Sequence, residues 1–141
     1  MIREKLENNI YIKHSVETWQ DAIRQSAQPL LSEGKITSAY VDAMIQNVID
    51  NGTYIIIIPG FAMPHARPEY GAIEAGMALL KLEEPVLFPG DEAVKLLIAL
   101  SAKDADEHSD VIAELAEVLM DDEKMKQFHS LYKPITHLRQ I

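Results

Sequence analysis

The chain has no cysteine, which excludes disulfides, thiolate metal sites and cysteine nucleophiles. It is also poor in cations: 13 Lys and Arg stand against 22 Asp and Glu, for a net charge of −9. Nucleic-acid and anionic-membrane surfaces need a cationic footprint, so this deficit argues against both as partners. No apolar run approaches the ~18 residues of a membrane span. The opening Met1-Ile2-Arg3-Glu4-Lys5-Leu6-Glu7 is charged throughout and lacks the apolar centre of a signal peptide. A phosphate-binding G-x-x-x-x-G-K-S/T run is missing as well. The expectation is a soluble, cytoplasmic protein without direct membrane contact, whose acidic surface suits basic partner proteins.

What is present fits one globular domain spanning residues 1–141, with 48% hydrophobic and 25% charged residues. The first residues read as a short helical turn, and Ile10-Tyr11-Ile12 as a short strand. Thr18 predicts the cap of a helix from Trp19 to about Ser32, bent by Pro29 and stopped by Gly34. Thr37 or Ser38 opens a second helix with Tyr40, Val41, Met44, Ile45, Val48 and Ile49 facing inward, closed at Asn51-Gly52.

Tyr54 to Ile58 is apolar on both faces, the pattern of a central strand. Ala75 to Leu82 predicts another strand, Glu83-Glu84-Pro85 a turn, and Val86 to Phe88 a short extended piece closed by Pro89-Gly90-Asp91. Val94 to Leu100 is a further buried strand. Helical patterns follow at His108 to Met120, Glu123 to Ser130 and Ile135 to Gln140. This order indicates an α/β sandwich with a mixed sheet.

Pro59-Gly60-Phe61-Ala62-Met63-Pro64-His65-Ala66-Arg67-Pro68 stands apart from the packing elements. Each proline fixes its own φ and pushes its predecessor away from the helical region, so His65 rides on a stiff, extended backbone. Loops at strand ends are where α/β sheets place function. The residues alone leave two readings level: a nucleophile or ligand, or a histidine that only hydrogen-bonds within a tight turn. Arg67 is either an anion clamp or the partner of Glu69 or Glu74 in a surface ion pair.

Of the other four histidines, His14, His129 and His137 lie in polar surroundings and read as surface or structural residues. His108 follows Asp104 and Glu107, whose spacing is that of a capping pair, which puts it near a helix start where an anion is welcome. The sequence alone favours plain packing or exposure for it. A zinc site from His65 and His108 lacks supporting ligand spacing.

An apolar strand, the run Gly60-Phe61-Ala62-Met63-Pro64-His65, and a second histidine, His108, opening a helix some forty residues on together resemble the enzyme IIA components of the phosphoenolpyruvate-dependent sugar phosphotransferase system, mannitol/fructose-type superfamily. Asn47, Gly52, Tyr54 and His65 to Pro68 are most similar to the L-ascorbate-type branch. Ile49-Asp50 stands where the mannitol/fructose branch carries an Arg-Glu pair, which makes Arg67 the candidate phosphate-facing cation.

The resemblance implies a three-layer α/β sandwich, its mixed sheet flanked by helices on both faces. It implies a phosphotransferase component without a cofactor or metal. His65 would be the phosphorylated nucleophile, loaded by the histidine-containing phosphocarrier protein and discharged to a IIB component that serves the membrane IIC permease. His108 would orient it or hold the phosphoryl oxygens. Phe61 and Met63 are expected as exposed docking side chains. Two alternatives are a regulator that signals by its phosphorylation state, and an anion- or metal-binding module using His65 and His108.

Overall fold

Two threonines set the helices. Thr18, in extended conformation, accepts the Asp21 N–H at 3.1 Å and starts α1, Trp19–Ser32. The helix passes through Pro29 and ends in a Schellman motif: Gly34, at φ 74°, donates to the Leu31 carbonyl and Lys35 to that of Leu30. Thr37 caps α2, Ser38–Asn51, through the Tyr40 N–H, and Gly52 at φ 81° closes it on the Val48 carbonyl. The computed structural model describes residues 9–104 together with Asp106, Ser109, Asp110, Ala113 and Glu117. The helical turn expected at the N-terminus, and the helices expected at 123–130 and 135–140, lie outside the described residues.

The described residues contain five strands, in chain order β1 Ile10–Lys13, β2 Ile56–Ile58, β3 Phe61–Ala62, β4 Gly76–Phe88 and β5 Glu92–Ser101. They form a single mixed sheet in the order β1-β4-β5-β3-β2. β1 runs parallel to β4 and β3 parallel to β5, while β4 with β5 and β2 with β3 are antiparallel. Both helices pack on one face, where Ala22, Ile23, Leu30, Tyr40, Met44 and Val48 meet Ala78, Leu80, Leu82, Leu97 and Ala99. On the opposite face Ile10, Ile12, Met77, Leu79, Ile98 and Leu100 are buried just as fully. A sheet buried on both faces is the middle layer of an α/β sandwich, as expected. Asp106, Ser109, Asp110, Ala113 and Glu117 are helical and exposed, and their three- and four-residue spacing makes one solvent-facing stripe.

Three expectations need correction. Glu83-Glu84-Pro85 is not a turn: β4 runs unbroken through it. A register shift between Lys81 and Val86 accommodates the proline, which has no N–H to donate, and Glu84 donates instead to the His14 carbonyl at 2.8 Å. The Tyr54 to Ile58 run is not a central strand. Only Ile56–Ile58 is extended, at the sheet edge, and Tyr54 stands 48% exposed in the preceding turn. Ile49 is not inward-facing; the row Val41, Ile45, Ile49 leaves the core margin and ends 59% exposed.

Candidate functional site

The site loop is built by the edge of the sheet. Pro59 and Gly60, the latter at φ 86°, turn β2 back into β3 through the Ile58–Phe61 pair. β3 then runs parallel to β5, pairing Phe61 with Leu96 and Ala62 with Leu97. Beyond Ala62 the chain stays beside β5, where the Leu100 N–H reaches the Pro64 carbonyl at 3.1 Å. On the other side the Met63 N–H reaches the Ile55 carbonyl at 2.9 Å. Pro64 and Ala66 are buried, His65 is half-buried and Arg67 exposed, the alternation of an extended chain with one face to solvent.

Tyr40 clamps the loop from inside the core. Its hydroxyl accepts the Ala66 N–H at 3.1 Å and lies within donating distance of the Ala66 carbonyl at 2.9 Å and the Leu100 carbonyl at 3.1 Å. One buried phenol thereby ties α2, the loop and the end of β5 together. Burial is the main reason its pKa is pushed up, to about 12, against the opposing bond from Ala66.

The imidazole of His65 has a defined tautomer. Nδ1 lies 2.7 Å from the Met63 carbonyl oxygen. A carbonyl only accepts, so Nδ1 carries the hydrogen, which in the neutral ring leaves the lone pair on Nε2. The Tyr54 ring stands edge-on to the imidazole, with centroids 5.6 Å apart and planes at 86°. The Asn47 amide hydrogen-bonds the Tyr54 hydroxyl and also reaches the His65 carbonyl at 3.4 Å. An imidazole held this way, half open to solvent, has the geometry that nucleophilic chemistry needs when the ring is neutral.

The sequence-predicted residues separate here. Arg67 is a surface side chain, 3.7 Å from Glu69. Extended backbone puts it on the same side of the loop as His65. Phe61 and Met63 are 3% and 2% exposed, so they are core residues and not docking side chains. Phe61 lies in β3 beside Leu96, and its neighbour in the strand, Ala62, belongs to the opposite buried face. His108 lies outside the described residues. Among the described residues no group of three or more metal-ligating side chains comes together. Sequence reasoning gave no site role to Tyr40, and named Asn47 and Tyr54 only as branch markers. Their spacing, an asparagine five residues before the helix-closing glycine and a tyrosine two after it, was the available signal.

Residues 6–136 match the protein family described as phosphoenolpyruvate-dependent sugar phosphotransferase system, EIIA 2. The chain is 48% identical over 122 residues to the mannitol-specific cryptic phosphotransferase enzyme IIA component of Escherichia coli strain K12, covering 86% of this chain and 83% of that one. It is 32% identical over 134 residues to the ascorbate-specific EIIA component of the same strain, covering 92% and 87%. The solution structure of the mannitol-specific cryptic enzyme IIA from Escherichia coli superposes with a TM-score of 0.79 at 47% identity, over 88% of this chain and 86% of that one. The Escherichia coli complex of enzyme IIA for mannitol with phosphorylated enzyme IIB matches with a TM-score of 0.69 at 26% identity, over 82% and 81%. This protein belongs to the EIIA 2 family of the phosphoenolpyruvate-dependent sugar phosphotransferase system: it is a phosphotransferase component that carries phosphoryl groups for a sugar system.

Proposed function

We propose that His65 is the phosphoryl carrier, loaded on Nε2 by the histidine-containing phosphocarrier protein and discharged to a cysteine of the IIB component that works with a membrane IIC permease. The observation behind this reading is the 2.7 Å bond from Nδ1 to the Met63 carbonyl, which leaves Nε2 as the lone-pair nitrogen of a half-buried ring. In loading, the Nε2–P bond forms as the donor's N–P bond breaks, and the donor leaves as a neutral imidazole. No proton has to move. The positive charge gained by the His65 ring falls beside the Met63 carbonyl dipole, which stabilises it. Discharge reverses the charge change as the thiolate of the acceptor takes the phosphorus.

Phosphoryl transfer asks a protein mainly for alignment and charge stabilisation. Alignment comes from the loop's bonds to Ile55, Leu100 and Tyr40. Arg67, on the open side, supplies charge to the phosphoryl oxygens by exchanging its exposed partner Glu69 for them. His108 retains the role the family resemblance implies for it, orienting the ring or holding oxygens. Partner proteins dock on the exposed apolar side chains Tyr54 and Tyr70, which flank the loop in the chain. The acidic stripe of Asp106, Asp110 and Glu117 steers a basic donor.

Incubation with phosphoenolpyruvate and the upstream carriers should add one acid-labile phosphoryl group, read by intact-protein mass spectrometry. Full labelling of His65→Ala would overturn the assignment. His108→Ala should slow onward transfer more than loading; two wild-type rates would remove its role.

The choice of sugar follows from the IIB partner, because this domain touches proteins and not carbohydrate. Asn47, Gly52, Tyr54 and the His65 to Pro68 run support L-ascorbate as the imported substrate. The 48% identity to a mannitol-specific relative supports a mannitol-type system as the second reading. Transfer to a panel of IIB proteins separates them: the cognate acceptor discharges the phosphorylated protein fastest.

A further inference from the structure

Asn47, Tyr54 and His65 form a chain of contacts, and the relay described above gives no role to the Asn47 amide or the Tyr54 hydroxyl. Asn47 lies near the end of α2, Tyr54 in the turn that follows it, and His65 on the loop beyond β3. The Asn47 amide has two hydrogens. One points towards the His65 carbonyl at 3.4 Å, and the amide also bonds the Tyr54 hydroxyl. An amide nitrogen donates, so the phenol oxygen receives that bond and the phenol's own hydrogen remains available. Among the described residues no acceptor is recorded for it. Burial raises the Tyr54 pKa, so the hydroxyl is protonated throughout the neutral range. The ring meets the imidazole edge-on at 5.6 Å and is 48% exposed, so a group arriving at the half-buried imidazole from solvent comes up beside it.

We propose that Tyr54 is a catalytic residue of the relay: its ring fixes the plane of the imidazole, and its O–H, aimed by the Asn47 amide, donates to an oxygen of the phosphoryl group on His65 Nε2. Asn47 is then a positioning residue, acting through Tyr54. The inference rests on His65 being the carrier and adds the neutral donor that recognises its cargo. The bond is stronger once the phosphoryl oxygens arrive, because their negative charge makes it charge-assisted. It therefore favours the loaded state over the empty one and draws phosphorus from the donor onto this chain.

Purified upstream carriers and phosphoenolpyruvate load the wild type, Tyr54→Phe, Asn47→Ala and the double variant, with rates and the donor–acceptor equilibrium read by quenched mass spectrometry. Tyr54→Phe keeps the ring. It should reach one phosphoryl group per chain when the carriers are in excess. Its transfer equilibrium should move about five- to tenfold toward the donor, as expected for loss of one charge-assisted bond. The 31P resonance of the phosphohistidine should shift while melting temperature and the His65 ring 15N shifts of the empty protein stay in place. Asn47→Ala should show part of that loss, and the double variant no more than Tyr54→Phe alone, because the two act in series. A Tyr54→Phe equilibrium and rate within twofold of wild type would overturn the proposal, as would a change in melting temperature with an unmoved equilibrium. Effects of the two single variants that multiply in the double would overturn the Asn47 part. Failure of the wild type to be labelled, or labelling of His65→Ala, would instead sink the carrier assignment itself, so the two failures are told apart.

Discussion

The phenol of Tyr40 engages both backbone polar groups of Ala66, accepting its N–H at 3.1 Å and approaching its carbonyl at 2.9 Å. A fully buried side chain thus replaces the strand partner that this stretch of loop lacks. It holds the residue that follows His65 in the chain.

That relationship predicts an alkaline transition. The native Tyr40 phenol holds its proton to about 12, against an ordinary value of 10.0 that the unfolded chain is taken to share. Below pH 10 both states are protonated and stability is complete. As pH rises from 10 to 12 the unfolded chain ionises first, and stability falls by about 2–3 kcal/mol. Denaturant titrations at pH 9 and 11.5 should show that slope. Tyr40→Phe should flatten it while costing about 1–3 kcal/mol at neutral pH, since the Ala66 N–H loses its acceptor.

The His65 tautomer is open to direct observation. In 15N spectra of the empty protein at pH 8, Nδ1 should carry the hydrogen and Nε2 should show the shift of an unprotonated nitrogen. After loading, coupling to 31P should appear on Nε2. A phosphorus coupling on Nδ1 would mean that the bond to the Met63 carbonyl breaks on loading.

Phe61 and Tyr70 should separate stability from docking. Phe61→Ala empties a buried aromatic position and should cost about 3–5 kcal/mol. Tyr70→Ala removes a side chain that is 50% exposed and should change stability by less than about 0.5 kcal/mol. Its effect should appear as a raised KM for the partner protein with little change in kcat. Equal losses of stability in the two variants would contradict the assignment.

Gly71 supports α2 from outside. Its φ is 132°, and an added Cβ would lie 2.1 Å from Thr37 Oγ1, the capping oxygen, and 3.2 Å from the Tyr40 backbone nitrogen. Its carbonyl also receives the Thr37 N–H at 3.0 Å. Gly71→Ala should therefore cost about 2–4 kcal/mol from backbone strain and a displaced cap. Gly90→Ala, where only Glu92 Cγ is near, at 3.9 Å, should cost about 1 kcal/mol from the positive φ alone.

Much of this architecture was legible in local chemistry. Thr18, Thr37, Gly34 and Gly52 each fix a helix end through bonds that span only a few residues, so the sequence announces them. The stiff, extended backbone under His65 was legible because prolines on both sides of its loop constrain it wherever it lies. Pro85 misled for the same reason: proline was read as a break, whereas an extra-residue irregularity in β4 hides its missing donor. Phe61, Met63 and Ile49 misled because apolarity next to a site does not reveal which way a side chain points. The clamp was illegible, since Tyr40 meets Ala66 at a separation of 26 residues and Leu100 at 60. Neither contact leaves a periodic trace in the sequence.

The loop that holds His65 is fastened to Leu100, near one end of the β4–β5 hairpin, whereas Pro89-Gly90-Asp91 turns the chain at the other. At ~3.3 Å per residue the ten residues of β5 put about 30 Å between the two ends. A fluorophore or affinity handle grafted onto that distal bend would report on partner capture while leaving the His65 end untouched, which makes it the natural anchor for single-molecule work on this protein.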